Sequence, residues 1–237
     1  MQDERFTRSR SLLGDNAFAR LGAVHVAIFG VGGVGSWCAE ALLRTGVRHL
    51  TLIDDDTVAE SNINRQRQAK PSSVGKPKVN VLRDTLLGII PDAEITAVAK
   101  RYTPENAKEF TGLFGNCDFV IDAIDSVDCK AHLIQRCVSG GNAGPAIFSS
   151  MGAALRTDPT KTRTVPFHKV AGDGLAKALR NRFRKSGAPI PKHLCVCSEE
   201  LPRGTAGAVK GSIMPVTCAF GMALASLVIQ SAAATDS

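Results

Sequence analysis

The sequence predicts an α/β fold, a doubly wound and mostly parallel sheet with a C-terminal extension made of a hairpin and a helix. Three observations carry this expectation. Apolar strand-like runs alternate with helical patterns from residue 25 to residue 150, the first junction between them holds Gly30, Gly32, Gly33 and Gly35, and the alternation stops after Ser150. Parallel strands joined by crossover helices bury both faces of a sheet, the Rossmann-like arrangement, and its ligand site lies outside the carboxyl ends of the strands.

The elements follow in order. HVAIFGV at 25–31 is an apolar run of strand length, and a helical pattern at 36–45 follows the glycines directly. LTLID at 50–54, EITAVA at 94–99, FVIDA at 119–123 and AIFSS at 146–150 repeat the strand signature. Helical periodicity recurs between them near 76–90, 104–114 and 127–139. Beyond 150, MGAALRT and TRTVPF are strand candidates on either side of the turn signal Asp158-Pro159, so a hairpin is expected there. At 174–185, Leu175, Leu179 and Phe183 stand at i, i+4 and i+8, with Lys177, Arg180, Arg182, Arg184 and Lys185 around the other face. The connector SGAPIPKH then leads to a strand carrying Cys195 and Cys197.

A chain of 237 residues with 44% hydrophobic composition is long enough to bury a sizeable core. Its first residues, MQDERFTRSR, lack the apolar segment of a secretory signal and carry acids that a transit peptide avoids, so a cytoplasmic protein is expected. Seven cysteines without a CxxC pair fit reduced thiols rather than a disulfide framework or a tetrathiolate zinc site. No charge falls between Lys210 and Asp236, yet the densest apolar part, 216–229, is too short to span a bilayer and reads as a buried helix, with no membrane partner. The net charge of +7 is uneven: residues 161–210 hold eleven Lys and Arg against three Asp and Glu, a balance of +8. A polyanionic partner and a plain solvated helix face both fit that surplus.

Gly30, Gly32 and Gly35 match G-x-G-x-x-G at a strand-to-helix turn, and Asp54 follows Gly35 by nineteen residues at the end of the next strand. Glycines let the backbone approach a phosphate chain, a helix start favours negative charge, and a carboxylate on the second strand accepts from ribose hydroxyls. This fingerprint alone fits a dinucleotide as well as ATP. The residues after Asp54 favour the triphosphate: DDDTV leads to NINRQ at 62–66 and GKPK at 75–78, which sets Arg65 and Lys78 beside the ribose corner. Hydride transfer gives no reason for such cations. Cleaving ATP between its α and β phosphates puts charge on the departing pyrophosphate, and fixed cations with a metal-binding carboxylate lower that barrier. Asp122, at the end of a neighbouring strand, is the candidate carboxylate. Structural roles stay open for each residue: Arg65 bridging one of the acids at 54–56, Lys78 as a first-turn lysine, Asp122 as a helix cap, Asn62 and Asn64 shaping a turn.

Taken in order, RFTR, GxGGxGS, DxD, NxNRQ, GKPK and DAID resemble the adenylating enzymes related to ubiquitin-activating enzymes and to the adenylyltransferases of thiamine and molybdopterin synthesis. The resemblance implies that Gly30, Gly32, Gly33 and Gly35 line ATP with Asp56 and Asn62 beside them, and that Asp54 holds the ribose. It further implies that Arg65 and Lys78 face the phosphates, Asp122 handles Mg2+, and Arg8 reaches in from a second subunit, hence a homodimer. Such enzymes convert a carboxylate to an acyl-adenylate that a nucleophile displaces.

RFTRSRSLLGDNAFARL, VIDAIDSVDCKAHLI, SSMGAALRTDPT, GDGLAKALRNRFRKSG and GSIMPVTCAFGMALA resemble the branch that acts on threonylcarbamoyladenosine in tRNA. There the carboxylate belongs to the modified adenosine next to the anticodon, and ring closure releases AMP in a net dehydration. The resemblance makes 1–150 an ATP-binding adenylating domain and 151–237 a tRNA-facing extension with a packing helix, in which Arg180, Arg182, Arg184 and Lys185 hold tRNA phosphates. The alternative is an adenylyltransferase that activates the C-terminal glycine of a sulfur-carrier or ubiquitin-like protein, and a sulfur-shuttling protein is a further partner the resemblance leaves open. Arg156 stands near where relatives carry a lysine after M-G-A. Cys195 reads as a packed strand cysteine rather than a reactive thiol, and Lys130 either as a nucleotide or substrate contact or as a surface lysine.

Overall fold

The computed structural model describes residues 3–141, 144–204 and 210–234. Among these, seven strands form one sheet: β1 (His25–Phe29), β2 (His49–Ile53), β3 (Glu94–Val98), β4 (Phe119–Asp122), β5 (Ala146–Ser150), β6 (Thr162–Pro166) and β7 (Leu194–Ser198). Their order is β3-β2-β1-β4-β5-β7-β6, with every pair parallel except β6 and β7. The central strands are unbroken apolar runs because both faces are covered: Val26 to Phe29 of β1 are fully buried. At the edge, β3 reads EITAV and leaves Glu94 and Thr96 exposed, a polar rim that discourages strand pairing with another chain.

Helices cover both faces. One side carries α2 (Asp15–Ala23), α3 (Gly35–Thr45), α4 (Lys78–Leu87) and α8 (Met214–Ala233) over a core that includes Leu21, Leu42, Leu82 and Phe220. The other carries α5 (Thr111–Asn116), α6 (Val127–Ser139) and α7 (Gly174–Lys185) over Phe29, Tyr102, Leu133 and Phe183. A short α1 (Thr7–Leu13) precedes α2, in a segment where the sequence reading placed no element. Phe6 anchors this start: it is 2% exposed and lies against Phe18, with the Arg48 guanidinium 4.7 Å above its ring.

Two helices are shorter than their periodicity suggests. Pro77 keeps Lys76 out of the helical region, so α4 begins at Lys78. Asn106 accepts from the Thr103 amide at 2.9 Å and donates to the Arg101 carbonyl at 2.7 Å; this turn delays the helix expected near 104, which starts as a 3-10 turn at Ala107.

The hairpin expected across Asp158-Pro159 does not form. Residues 151–157 contain no strand, and β6 pairs instead with β7, bringing β6 and β7 into the same sheet. Arg156 explains the difference. It is 3% exposed and donates inward to the carbonyls of Gly152 and Glu200 and to Asp173, while Leu155 adopts φ +62°, a left-handed conformation no strand accommodates. The lone arginine after M-G-A is therefore a brace for its own loop, not an outward contact.

By length and composition α8 could cross a bilayer, with mean hydropathy 1.7 over its most apolar window. In this fold it packs Val216, Phe220, Leu224 and Val228 against the sheet and α3. Gly221 permits that approach, since a Cβ there would lie 2.6 Å from the Val34 carbonyl oxygen and 2.9 Å from the Cys38 nitrogen. Arg20 of α2 closes its far end by donating to the carbonyls of Ala232 and Ala233 at 3.3 and 2.6 Å.

Candidate active site

The sheet order reverses between β1 and β4, because the chain leaves β1 toward β2 and leaves β4 toward β5. A crevice opens at such a switch point. The glycine turn after β1, Asp54 after β2 and Asp122 at the end of β4 meet there.

The turn is built for closeness. Gly30 has φ +88°, and a Cβ on it would lie 2.7 Å from the Ala123 carbonyl oxygen; one on Gly35 would lie 1.9 Å from the Gly30 carbonyl oxygen. Glycine at both positions lets β1 fold straight into α3, whose N-terminus no side chain caps. Asp54 fastens the turn to β2 by accepting from the amides of Val31 at 2.8 Å and Asp56 at 2.9 Å. Burial raises its carboxyl above the usual carboxylate range, opposed by those amides and by Lys78.

Lys78 is not a solvated first-turn lysine. It is 5% exposed, its Nζ donates to Asp56 Oδ2 at 2.6 Å, and its own amide donates to the Asp56 carbonyl at 3.0 Å. Nor does Arg65 bridge the acids at 54–56. Its stem crosses the glycine turn, with Cγ 3.3 Å from where a Gly33 Cβ would stand, and its guanidinium donates to the Ser61 carbonyl at 2.9 Å and to Asn64 Oδ1 at 2.8 Å. Asn62, 8% exposed, accepts from the Ala59 amide at 3.1 Å and so shapes the turn beneath Arg65.

Asp122 is fully buried and caps no helix, since α6 starts after Ser126. Its Oδ1 pairs with Lys130 Nζ at 2.9 Å and accepts from the Ile124 amide at 3.2 Å, while Oδ2 is buried with no hydrogen-bond donor among the described residues. Burial pushes this carboxyl up, and the Lys130 ammonium opposes the shift. Lys130 is not a surface lysine: it is fully buried and also donates to the carbonyls of Ile124 at 3.0 Å and Asp122 at 3.3 Å.

Arg8 does not join this group. It follows Phe6, which is held beside Arg48 ahead of β2, whereas the crevice lies past the carboxyl end of that strand. That is about 20 Å along a strand, beyond the reach of an arginine two residues from Phe6. The Arg8 side chain is exposed and makes no hydrogen bond or ion pair among the described residues.

The basic helix α7 is anchored at the crevice edge. Its N-cap Asp173 accepts from the Gly152 amide, just past β5, at 3.0 Å, and Arg182 pairs with Asp128 in the first turn of α6 at 2.6 Å. Both anchors sit where strands end and crossover helices begin. Of the four cations singled out on α7, Arg182 is thus engaged, and Arg180 donates to the Val170 carbonyl at 2.9 Å with its guanidinium over Phe167. Arg184 and Lys185 are exposed, Arg184 with a long 3.4 Å contact to Asn181. Cys195 is a packed strand residue, fully buried, with burial pushing its thiol above the usual range.

The sequence profile of the ThiF family matches residues 6–236. The chain belongs to the ThiF family. Among relatives of this family member, the tRNA threonylcarbamoyladenosine dehydratase of Bacillus subtilis is 39% identical over 183 residues, which cover 77% of this chain and 70% of that protein. The Escherichia coli protein of the same name is 38% identical over 181 residues, 76% of this chain and 66% of its own length. The crystal structure of the E. coli tRNA N6-threonylcarbamoyladenosine dehydratase in complex with ATP superposes with a TM-score of 0.88 at 34% identity, covering 97% of this ThiF-family chain and 93% of that one.

Proposed function

We propose that this chain uses ATP to adenylate the carboxylate of threonylcarbamoyladenosine beside the anticodon of tRNA, and closes the neighbouring carbamoyl group onto it with release of AMP. The observation that carries the reading is the superposition, over nearly the whole chain, on the E. coli dehydratase that binds ATP. In the first step a substrate carboxylate oxygen attacks the α-phosphorus and pyrophosphate leaves. Arg65, over Gly33, and Lys78, beside Asp56, take up the charge on that leaving group. In the second step an atom of the carbamoyl group attacks the activated carbonyl, the bond to AMP breaks and a proton departs, so the product is lighter by one water. With the nucleophile inside the substrate, positioning supplies much of the rate. Of the four α7 cations singled out from the sequence, Arg184 and Lys185 are the more open ones, and on the helix anchored at the crevice edge they meet tRNA phosphates.

Magnesium fits the residues present. Asp122 Oδ2 is a buried carboxylate oxygen with no hydrogen-bond donor among the described residues, and Asp122 is the residue that would hold the ion. Bound with ATP, magnesium supplies neutralisation of phosphate charge.

Arg8 completes the site from a second copy of the chain, since its own crevice is out of reach. Mixing Arg8→Ala with Arg65→Ala protein, each inactive alone, should restore about a quarter of the natural activity, because half the dimers are mixed and each holds one intact site. No recovery on mixing would contradict the shared site.

Pyrophosphate release tests the whole reading. It should require tRNA carrying threonylcarbamoyladenosine and fail with the same tRNA lacking it. Release driven instead by a carrier protein ending in glycine would make the chain an adenylyltransferase for that carrier.

A further inference from the structure

Trp37 is the single tryptophan of the chain and stands two residues past the glycine turn. Its indole Nε1 donates to the Arg65 carbonyl oxygen at 2.9 Å, so the backbone that carries Arg65 is tied to the first turns of α3. The residues around Arg65 are sewn to the same place. The Arg67 amide donates to Ser36 Oγ at 3.2 Å, the Arg67 guanidinium pairs with Glu40, itself 8% exposed, and Gln68 Nε2 donates to the Val31 carbonyl at 2.8 Å. By contrast, the guanidinium of Arg65 is held by two exposed bonds to its own turn, at Ser61 and Asn64.

A half-buried bond fixes the base, and water-accessible bonds hold the head. Exposed bonds of this kind exchange at little cost for a charged acceptor, whereas enclosed ones do not. We propose that Trp37 is the positioning residue for Arg65: its indole N–H locks the arginine backbone onto α3 over Gly33, so that only the guanidinium moves when it trades Ser61 and Asn64 for the phosphates of ATP. The inference rests on the reading of the crevice as an ATP site. It adds that aim is set from behind, by a residue that touches no ligand.

The test removes one hydrogen bond and nothing else. The Trp37 ring also lies under the Arg67 guanidinium, 5.8 Å from its centroid, so a plain Trp37→Phe change disturbs that contact as well. Replacing Trp37 by 3-benzothienylalanine keeps the shape and loses the N–H. ATP and adenosine affinities, measured by calorimetry on the purified chain, should then separate: ATP binding weakens about 5-fold while adenosine binding and the melting temperature stay put. Trp37→Phe should show the same selective loss of ATP affinity, superimposed on some loss of stability. Unchanged ATP affinity in the benzothienyl protein overturns the proposal, as does an equal loss for ATP and adenosine. Failure of the natural chain to bind ATP at all would instead overturn the ATP reading, and this inference with it.

Discussion

Arg65→Ala lowers kcat/KM for tRNA-dependent AMP formation by about 10²–10³-fold, roughly 3–4 kcal/mol of lost transition-state stabilisation. The size follows from the chemistry: pyrophosphate leaves with more charge than it carried in ATP, and a cation aimed at it acts only as that charge develops. The fold should tolerate the change. Among the described residues the guanidinium of Arg65 makes two exposed hydrogen bonds, and the Trp37 bond is to a backbone oxygen that alanine retains. Rates of AMP formation, read beside thermal melting, check both halves. An unaltered rate in a folded variant would remove Arg65 from the chemistry, and a molten variant would make it structural. Arg65→Lys keeps a charge without the planar fork and should fall between the two.

The second large effect is on stability. Lys130→Met leaves the Asp122 carboxylate buried without its counter-ion, and breaking a buried pair in this way costs about 3–5 kcal/mol. Adding Asp122→Asn to the same chain removes the stranded charge and should recover much of that loss without restoring AMP formation. Urea denaturation of the single and double variants reads the coupling directly. If Lys130→Met unfolded no more readily than the natural chain, the ion pair would not hold the end of β4 in place, and the account of Asp122 would need another support.

These two residues also mark where the sequence was legible. Arg65 lies in a motif, and its position over the glycine turn follows from short-range order: one strand, one tight turn and a crossover, all within residues 25–78. The alternating runs revealed the sheet for the same reason, since apolar periodicity is a local property. Lys130 was harder. On a helix that begins after Ser126, a lysine looks like a surface residue until the helix is placed against β4 and the carbonyls of Asp122 and Ile124 turn toward it. The partners of Arg156 and Arg182, Asp173 and Asp128, are likewise out of reach of a sequence reading, because packing rather than spacing brings them together. The hairpin expected after Ser150 failed on a long-range competition, in which β7 offered β6 a full ladder while Arg156 drew residues 151–157 inward. Arg8 shows the opposite limit: the resemblance already implied that it serves a second subunit, and the placement of Phe6 at the far end of β2 leaves it beyond reach of its own crevice.

What binds these observations together is one chemical event, the exchange of a tRNA carboxylate for an anhydride with AMP, followed by ring closure. Its most direct measurement is nucleoside mass spectrometry of tRNA incubated with this chain, ATP and magnesium, worked up mildly enough to spare a strained ring. The account predicts that threonylcarbamoyladenosine disappears and a nucleoside lighter by one water takes its place, with AMP formed in equal amount. Intact threonylcarbamoyladenosine in the presence of protein that binds ATP would contradict it.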